Sequence, residues 1–483
     1  MIKQNEYMAM DAIDLGTGLK NKDFSCVEIT RSAIERAVEV NPRLHAIVFE
    51  NYDNALKRAE EFDKNSPLLN QSVVAGVPFL IKDLSPVKGL PCQYGSKIFE
   101  NQIAGENANI VNRYLDAGLN IFGKSSTPEF GVTLTTEPVA YETCRNPWNV
   151  DYSTGGSSGG AAAAVAAGIS PVANATDGGG SIRIPASCCG LFGLKPSRGL
   201  TSIENELSSC WSGLSIGHVV SQTVRDSAAF LDIIRLNKPN LFPLPSTTDS
   251  FTKDLQVNPE KLKIGVQLEH PTGETIDKEC LDAVNKTLDI CKSLGHEIEI
   301  AGFPVDYRAA TSSASRIINT HTYQSVASRL AELGLEIDDS PLEASTKIMA
   351  KSGRKTDATT YLAARDHLKS CELTLANFYE EYDVVISPVL SKTPAPLGWL
   401  DMNNADMREY SQRFGQYSGF VAIYNASGQP SMSMPLHISA DRLPVGVLFT
   451  ASWGDDELLL RLARQIEEHS PWPKNAKYSP KSP

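Results

Sequence analysis

The sequence predicts an α/β fold in which a mixed β-sheet is covered by helices on both faces. Three observations support this prediction. Strand-like apolar runs alternate with amphipathic helical segments along the chain. One strand, helix and strand between residues 262 and 300 form a βαβ-type unit. The 483 residues, of which 41% are hydrophobic and 21% charged, are also enough for a large core.

The N-terminal part is predicted to be helical before the first buried strand begins. Residues 23–42 have helical periodicity, and Pro42 is expected to close that helix. Residues 51–65 predict a second amphipathic helix with a solvated charged face. The run "VVAGVPFLIKDL" from residue 73 is strand-like, and residues 109–126 predict a helix followed by a strand.

The later part continues this alternation after a glycine-rich segment at residues 152–202. Residues 223–236 predict a helix, and the Pro-rich stretch 237–250 is either a boundary between subregions or a surface loop. Beyond the βαβ-type unit, residues 305–382 are mostly helical. The runs "YDVVISPVL" and "LPVGVLFTAS" predict strands, and a C-terminal helix follows with Asp455 or Asp456 as its N-cap.

Composition and charge exclude several classes of protein. A net charge of −12 makes binding to nucleic acid or to an anionic membrane surface unexpected. The nine cysteines include no C-x-x-C pair, which favours reduced, mostly buried thiols in a cytoplasmic protein, and the adjacent Cys188 and Cys189 are expected to pack rather than to form a disulfide. The first residues show no signal-peptide pattern, and the longest apolar run, from Ala161, is too short to span a bilayer.

Three polar residues stand out in apolar or glycine-rich surroundings: Lys82, Ser157 and Ser181. A lysine that ends an apolar strand usually extends to solvent. The two glycine runs could present several N–H groups to one point, as an oxyanion hole requires, or could bind phosphate. Neither run supplies the G-K-[ST] of a Walker A loop. "GGSSG" fits the G-x-S-x-G elbow, but no buried strand precedes it, and His437 is expected to be structural.

The combination of motifs resembles the amidase signature family of serine amidohydrolases. "GGSSGGAAAAVAAG" followed by "TDGGGSIRIPASCCGLFGLKPSRG" is similar to the family signature, and Lys82 in "GVPFLIKDL" stands where the family has its catalytic lysine. Lys82 precedes Ser157 by 75 residues, and Ser181 follows Ser157 by 24. Further matches include "GKSSTPEFG", "NPWN" and "NASGQPSMSMPL", so the resemblance covers about residues 5–470.

The resemblance implies the amidase signature fold, a single amidase domain over residues 1–483 and a Ser-cisSer-Lys triad. Residues 1–70 would be N-terminal helices, 71–240 the signature core, and 241–483 the remaining sheet, a helical pocket region and the C-terminal helix. Ser181 would be the nucleophile, and Lys82 the base, which the apolar residues before it could bury and so hold neutral. Ser157, on a cis peptide bond after Gly156, would bridge them. The oxyanion hole would consist of the N–H groups of Gly178, Gly179, Gly180 and Ser181.

The same resemblance leaves some roles to be decided by the structure. Ser158 competes with Ser157 for the middle position of the triad. Asp177 and Arg183 are expected to form a buried pair that fixes the turn. No metal ion and no cofactor are expected. Three departures from the family pattern, Gly178, Thr154 and Ala161, bear on the substrate rather than on the reaction.

Within the family, the sequence looks most similar to the branch of 6-aminohexanoate cyclic dimer hydrolases, which open small linear or cyclic amides. The partner would then be a small-molecule amide, and a homodimer is compatible with the sequence. Tyr417, Phe420 and Asn425 are candidates to line the substrate pocket, although the two aromatic residues could equally belong to the core. Two alternatives are the A subunit of a glutamyl-tRNA amidotransferase, acting as a glutaminase, and a catalytically silent binding protein on the same fold.

Overall fold

The computed structural model describes residues 2–65, 67–201, 210–239, 242–245, 248–476 and 478. Its strands are β1 (Ile47–Glu50), β2 (Pro78–Lys82), β3 (Asn120–Ser125), β4 (Arg145–Asn146), β5 (Asn149–Ser153), β6 (Val172–Asp177), β7 (Phe192–Lys195), β8 (Ile216–Ser221), β9 (Lys263–Val266), β10 (Glu297–Ile300), β11 (Val384–Pro388), β12 (Ser431–Ile438) and β13 (Pro444–Ala451).

The helices surround these strands, and two short 3₁₀ helices accompany them at Lys97–Phe99 and Glu129–Gly131. The α-helices are α1 (Gln4–Ala9), α2 (Ala12–Asn21), α3 (Cys26–Leu44), α4 (Tyr52–Asn65), α5 (Leu68–Gln71), α6 (Asn109–Asp116), α7 (Gly159–Ala166), α8 (Arg183–Cys189), α9 (Cys210–Gly213), α10 (Val224–Ile234), α11 (Phe251–Asp254), α12 (Lys278–Ser293), α13 (Tyr307–Leu333), α14 (Ala344–Lys355), α15 (Ala358–Phe378), α16 (Met407–Ser418), α17 (Ile423–Ser427) and α18 (Asp456–His469).

One mixed sheet of eleven strands organises the described residues, in the order β1-β3-β2-β6-β8-β7-β12-β13-β11-β9-β10. Strands β3, β2 and β6 run parallel to one another, and so do β11, β9 and β10. The strands between these two groups pair antiparallel. The predicted mixed α/β architecture is therefore confirmed, and β9, α12 and β10 form the predicted parallel unit.

The boundaries of one predicted helix are wrong. Pro42 lies inside α3 and does not close it, because α3 continues to Leu44 and ends where His45 adopts φ 51° and ψ 36°. Proline at position 42 removes one backbone donor without stopping the last turn. At the other end of the chain, Asp455 is the N-cap of α18, although its side chain makes no capping hydrogen bond.

The buried apolar residues fall into two large clusters and one small one. The first cluster packs the N-terminal helices, β2, β3, α7 and α18 against the sheet. The second joins α8 and the inner side of β11 to residues of α13, α15, α16 and α17. The elements that carry Lys82 and Ser157 therefore lie in the first cluster, and the helical region after residue 305 packs mainly in the second.

Eight cysteines belong to the part of the chain that the structure describes in full, and all eight are buried and free of disulfides, including the adjacent pair at 188 and 189. No helix in the described ranges is long and apolar enough to cross a membrane.

Candidate active site

Lys82 is the last residue of β2, a strand whose five residues are all buried. Its side chain does not reach solvent, and its exposed fraction is 0%. Its Nζ donates to three hydroxyl oxygens, those of Ser157 and Ser158 at 2.8 Å each and of Thr176 at 3.0 Å. The usual fate of a strand-end lysine, extension into water, is therefore excluded here.

This environment favours the neutral amine. Burial lowers the pKa of Lys82 from 10.5 to about 7, and the more distant Asp177 carboxylate opposes this shift only in part. Desolvation penalises the ammonium ion because hydroxyl dipoles replace bulk water poorly. Near pH 7 a large fraction of Lys82 is thus able to accept a proton.

The two adjacent serines contact Lys82 but differ in their other bonds. Ser157 follows a cis peptide bond from Gly156, as expected. Within the described residues its hydroxyl has Lys82 as its only hydrogen-bond partner. The Ser158 hydroxyl instead donates to the Thr176 carbonyl at 3.2 Å and accepts from the Thr176 N–H at 3.3 Å. Ser158 is therefore bound into β6, whereas Ser157 keeps a hydroxyl available for another group.

Helix α7 holds these serines against the sheet, and all eight of its residues are buried. A Cβ atom at Gly159 would lie 2.3 Å from Thr136 Oγ1, and one at Gly160 would lie 2.3 Å from the backbone nitrogen of Ser126. Only glycine permits such close approach. The small residues after "GGSSGG" thus fix the position of the loop by tight packing.

Ser181 lies in the loop between β6 and α8 and is the most exposed of the three predicted triad residues, at 9% compared with 2% for Ser157. Its hydroxyl makes no hydrogen bond to any described residue. Its carbonyl oxygen accepts from the Ser158 N–H at 3.3 Å, which joins the two glycine-rich loops. The structure thus brings Lys82, Ser157 and the Ser181 loop together.

The three glycines before Ser181 have different surroundings. A Cβ at Gly179 would meet no atom within 4 Å, so this glycine faces open space, whereas one at Gly178 would contact the ring of Trp211 at 2.6 Å. Gly180 differs from the prediction. Its N–H donates to Asp177 Oδ1 at 2.7 Å and is therefore not offered to a ligand.

Asp177 and Arg183 form the predicted buried pair, with an Nη2–Oδ1 distance of 2.8 Å. Burial alone would raise the pKa of Asp177, but Arg183 reverses this and holds it well below its usual range.

The prediction that Asn425 lines the pocket is wrong. Its amide nitrogen donates to the Asp177 carbonyl and carboxylate and to the Leu214 carbonyl, and its oxygen accepts from Arg183. Asn425 is therefore a positioning residue.

The two aromatic candidates belong to the core, which was the alternative for both. Tyr417 is 0% exposed, and its hydroxyl accepts from the Ala395 N–H at 3.2 Å. Phe420 is 2% exposed and packs against the rings of His270 and Phe303. Side chains so thoroughly covered cannot line an open pocket, and this part of the prediction is not supported.

Sequence reasoning missed Thr176 and Asn174, which hold Lys82 from β6. Thr176 accepts from the lysine Nζ, and the Asn174 side-chain oxygen accepts from the lysine backbone N–H at 3.2 Å. Both residues point to one face of the strand because side chains alternate. The signal that could have revealed them is two polar residues two positions apart in a fully buried strand. Among the described residues, no group of three His, Cys, Asp or Glu side chains is placed to hold a metal ion.

Comparisons with known proteins identify the family of the chain. The family model described as amidase matches residues 28–460. The 6-aminohexanoate-cyclic-dimer hydrolase of Paenarthrobacter ureafaciens is 31% identical over 481 residues, covering 94% of this chain and 93% of that protein. The putative amidase AmiC of Mycobacterium leprae is 31% identical and covers 96% of each chain.

A solved structure of 6-aminohexanoate cyclic dimer hydrolase superposes with a TM-score of 0.88 at 30% sequence identity, covering 98% of this chain and 99% of that one. The family match spans most of the chain, and the similarity in both sequence and fold extends over nearly its full length. The chain therefore belongs to the amidase signature family and is an amide-hydrolysing enzyme.

Proposed function

We propose that this enzyme cleaves carboxylic amide bonds through an acyl-enzyme on Ser181, with Ser157 and Lys82 as its proton relay. The observation that carries the proposal is the environment of Lys82. A buried amine with a pKa lowered to about 7 lies 2.8 Å from the otherwise uncommitted hydroxyl of Ser157 and, when neutral, can accept its proton. A serine needs such a base before it can attack an amide.

In the proposed reaction, Ser181 Oγ attacks the amide carbon while its proton passes to Ser157, whose own proton passes to the neutral Lys82. The negative charge that develops on the carbonyl oxygen is stabilised by the N–H groups of Gly178, Gly179 and Ser181. Lys82 returns its proton through Ser157 to the leaving nitrogen, the C–N bond breaks, and the amine departs. Water, activated by the same relay, then hydrolyses the ester and releases the carboxylic acid.

The proposed substrates are small linear or cyclic amides. Support comes from the 6-aminohexanoate-cyclic-dimer hydrolases, which resemble this chain over nearly the whole length of both proteins. The Gly179 position, which faces open space beside Ser181, leaves room for a substrate carbonyl. We also propose a cytoplasmic location, which the eight free and buried cysteines favour. A homodimer stays a prediction that sedimentation analysis can test.

A substrate panel with the Ser181→Ala variant tests this proposal. The purified chain alone should hydrolyse members of a panel of primary, aryl and cyclic amides without tRNA, ATP or another subunit. Ser181→Ala should reduce kcat by at least about a thousandfold, while Ser325→Ala, an exposed serine on α13, should leave it unchanged. Mass spectrometry of enzyme quenched during turnover should locate an acyl group on the peptide that contains Ser181.

Two results would contradict the proposal. Activity that required another subunit, or that was confined to glutamine, would indicate a glutaminase subunit of an amidotransferase. Absence of turnover on the whole panel, together with tight amide binding, would indicate a silent binding protein.

A further inference from the structure

A short turn packs against the hydroxyl of Ser157. The turn is the 3₁₀ helix Glu129–Gly131, and its last residue, Gly131, has φ 67°. A Cβ atom on Gly131 would lie 2.9 Å from Ser157 Oγ, well inside the usual separation of two heavy atoms that are not bonded. Lys82 Nζ lies 2.8 Å from the same oxygen. The hydroxyl is therefore confined between the lysine amine and the turn, and only glycine at position 131 leaves it this room.

Backbone hydrogen bonds hold the turn in place. The Gly131 N–H donates to the Pro128 carbonyl at 2.9 Å, and the Phe130 N–H donates to the Tyr94 carbonyl at 2.8 Å. Phe130 has φ 50°, in the left-handed region that residues other than glycine seldom adopt. Such a conformation persists only where surrounding contacts maintain it, and it concentrates at functional sites.

The side chain of Glu129 ties the turn to two other parts of the chain. Its Oε1 accepts from the Ser96 hydroxyl at 2.6 Å, and its Oε2 accepts from the Glu343 N–H at 2.9 Å. Glu343 is the N-cap residue of α14, so the second bond joins the turn to the helical region. Glu129 is 1% exposed, and a buried carboxyl group is tolerated only when its oxygens are hydrogen-bonded. Both oxygens have a donor here, which fixes the side chain from two directions.

We propose that Glu129 is a positioning residue for the proton relay. By anchoring the turn it keeps Gly131 against Ser157, and the Ser157 hydroxyl then stays beside Lys82. Glu129 makes no hydrogen bond to Lys82, Ser157 or Ser181 in the part of the chain that the structure describes, so it acts through the turn. This inference rests on the proposed function, because it takes Ser157 as the middle member of the relay.

The leaving group of the substrate separates a displaced relay from a general loss of activity. A departing amide nitrogen needs a proton, which the relay supplies through Ser157, whereas p-nitrophenolate leaves an ester without one. The probes are the p-nitroanilide and the p-nitrophenyl ester of one acid, chosen as the acyl group that the wild type cleaves fastest. The ratio of kcat/KM for the anilide to kcat/KM for the ester then reports on the relay.

Gly131→Ala tests the contact directly. The added methyl group meets Ser157 Oγ and a terminal methyl group of Leu84, and both must shift. We expect kcat/KM to fall about a hundredfold for the anilide and about tenfold for the ester. Gly334→Ala is the matched control and should leave the ratio unchanged, because Gly334 has the same φ of 67° and a Cβ atom there would meet nothing within 4 Å.

Substitutions of Glu129 test the anchor, and they carry the test if Gly131→Ala does not fold. Glu129→Ala removes both hydrogen bonds and should lower the ratio about tenfold. Glu129→Gln can accept from the Glu343 N–H with its amide oxygen and donate to Ser96 Oγ with its amide nitrogen, so it should restore most of the ratio. Circular dichroism at the assay temperature shows that each variant is folded.

A double variant distinguishes positioning of Ser157 from a wider disturbance. In a Ser157→Ala background the hydroxyl that the new methyl group displaces is already gone. Adding Gly131→Ala should therefore lower kcat/KM for the ester by no more than about twofold.

Three outcomes would overturn the inference. They are an equal loss on anilide and ester, a full further loss in the double variant, and a Glu129→Gln variant as impaired as Glu129→Ala. The proposed function fails differently, since it fails if Ser181→Ala still hydrolyses amides. An unchanged ratio in Gly131→Ala and Glu129→Ala, together with an inactive Ser157→Ala, would refute the positioning role alone.

Discussion

The lowered pKa of Lys82 predicts an enzyme that is destabilised by its own base. In the unfolded chain the lysine titrates near 10.5, and in the folded protein near 7. Between these values the unfolded state binds one more proton than the folded state, so stability rises with pH from 7 to 10.5. Below pH 7 both states are protonated, and the full cost of burying the ammonium ion applies.

The size of the effect follows from the difference between the two pKa values. The cost of Lys82 is about 4 kcal/mol at pH 7 and about 2 kcal/mol at pH 9. Methionine at this position has no charge to bury but leaves three hydroxyl groups without their hydrogen-bond partner, a loss of about 1 kcal/mol each that does not depend on pH. Lys82→Met should therefore gain about 2 kcal/mol relative to the wild type when the pH falls from 9 to 7.

Urea unfolding of the wild type and Lys82→Met at pH 7 and pH 9 measures this difference. Lys195, another buried lysine whose pKa is lowered by burial, is present in both proteins and cancels. Lys88→Met, at an exposed position, is the control and should show no pH-dependent difference. If the stability difference between Lys82→Met and the wild type were the same at both pH values, Lys82 would be charged in the folded protein and the reasoning would be wrong.

Three further predictions concern the relay and its support. With uncharged amides, kcat/KM should rise about tenfold between pH 6 and pH 8 as Lys82 loses its proton; a flat profile would mean that another group is the base. Ser157→Ala should reduce kcat by at least about a thousandfold. Ser158→Ala should lower the melting temperature and reduce kcat much less than Ser157→Ala does. A larger loss of kcat in Ser158→Ala than in Ser157→Ala would exchange their roles. Asn425→Ala should cost about 3 kcal/mol in urea unfolding, because it leaves buried partners unsatisfied; a raised KM with unchanged stability would restore it as a substrate ligand.

The sequence predicted the parts of the site that depend on local pattern and on family resemblance. The apolar run before Lys82 indicates burial, and burial is what lowers its pKa. The buried pair of Asp177 and Arg183 was also predicted, since the two residues are only six positions apart. The mixed sheet followed from alternating strand and helix patterns, which reflect which face of each element is covered.

The errors arose where contacts join distant parts of the chain. Asn425 reaches Asp177 across 248 positions, and no local pattern shows that its amide is fully used there. Gly180 was predicted as an oxyanion donor because glycine runs allow many N–H directions, but the nearby Asp177 carboxylate takes that N–H. Pro42 failed to end α3 because a helix can lose one donor near its last turn and continue.

The division of the core into two large clusters has a consequence for how this enzyme could change over evolutionary time. The residues proposed to perform the chemistry lie before residue 190, whereas much of α13 and α15 packs in the second cluster. Substitutions in α13 and α15 should therefore have little effect on the packing around Lys82. A chimera that carries the helical region of a relative should therefore retain amide hydrolysis.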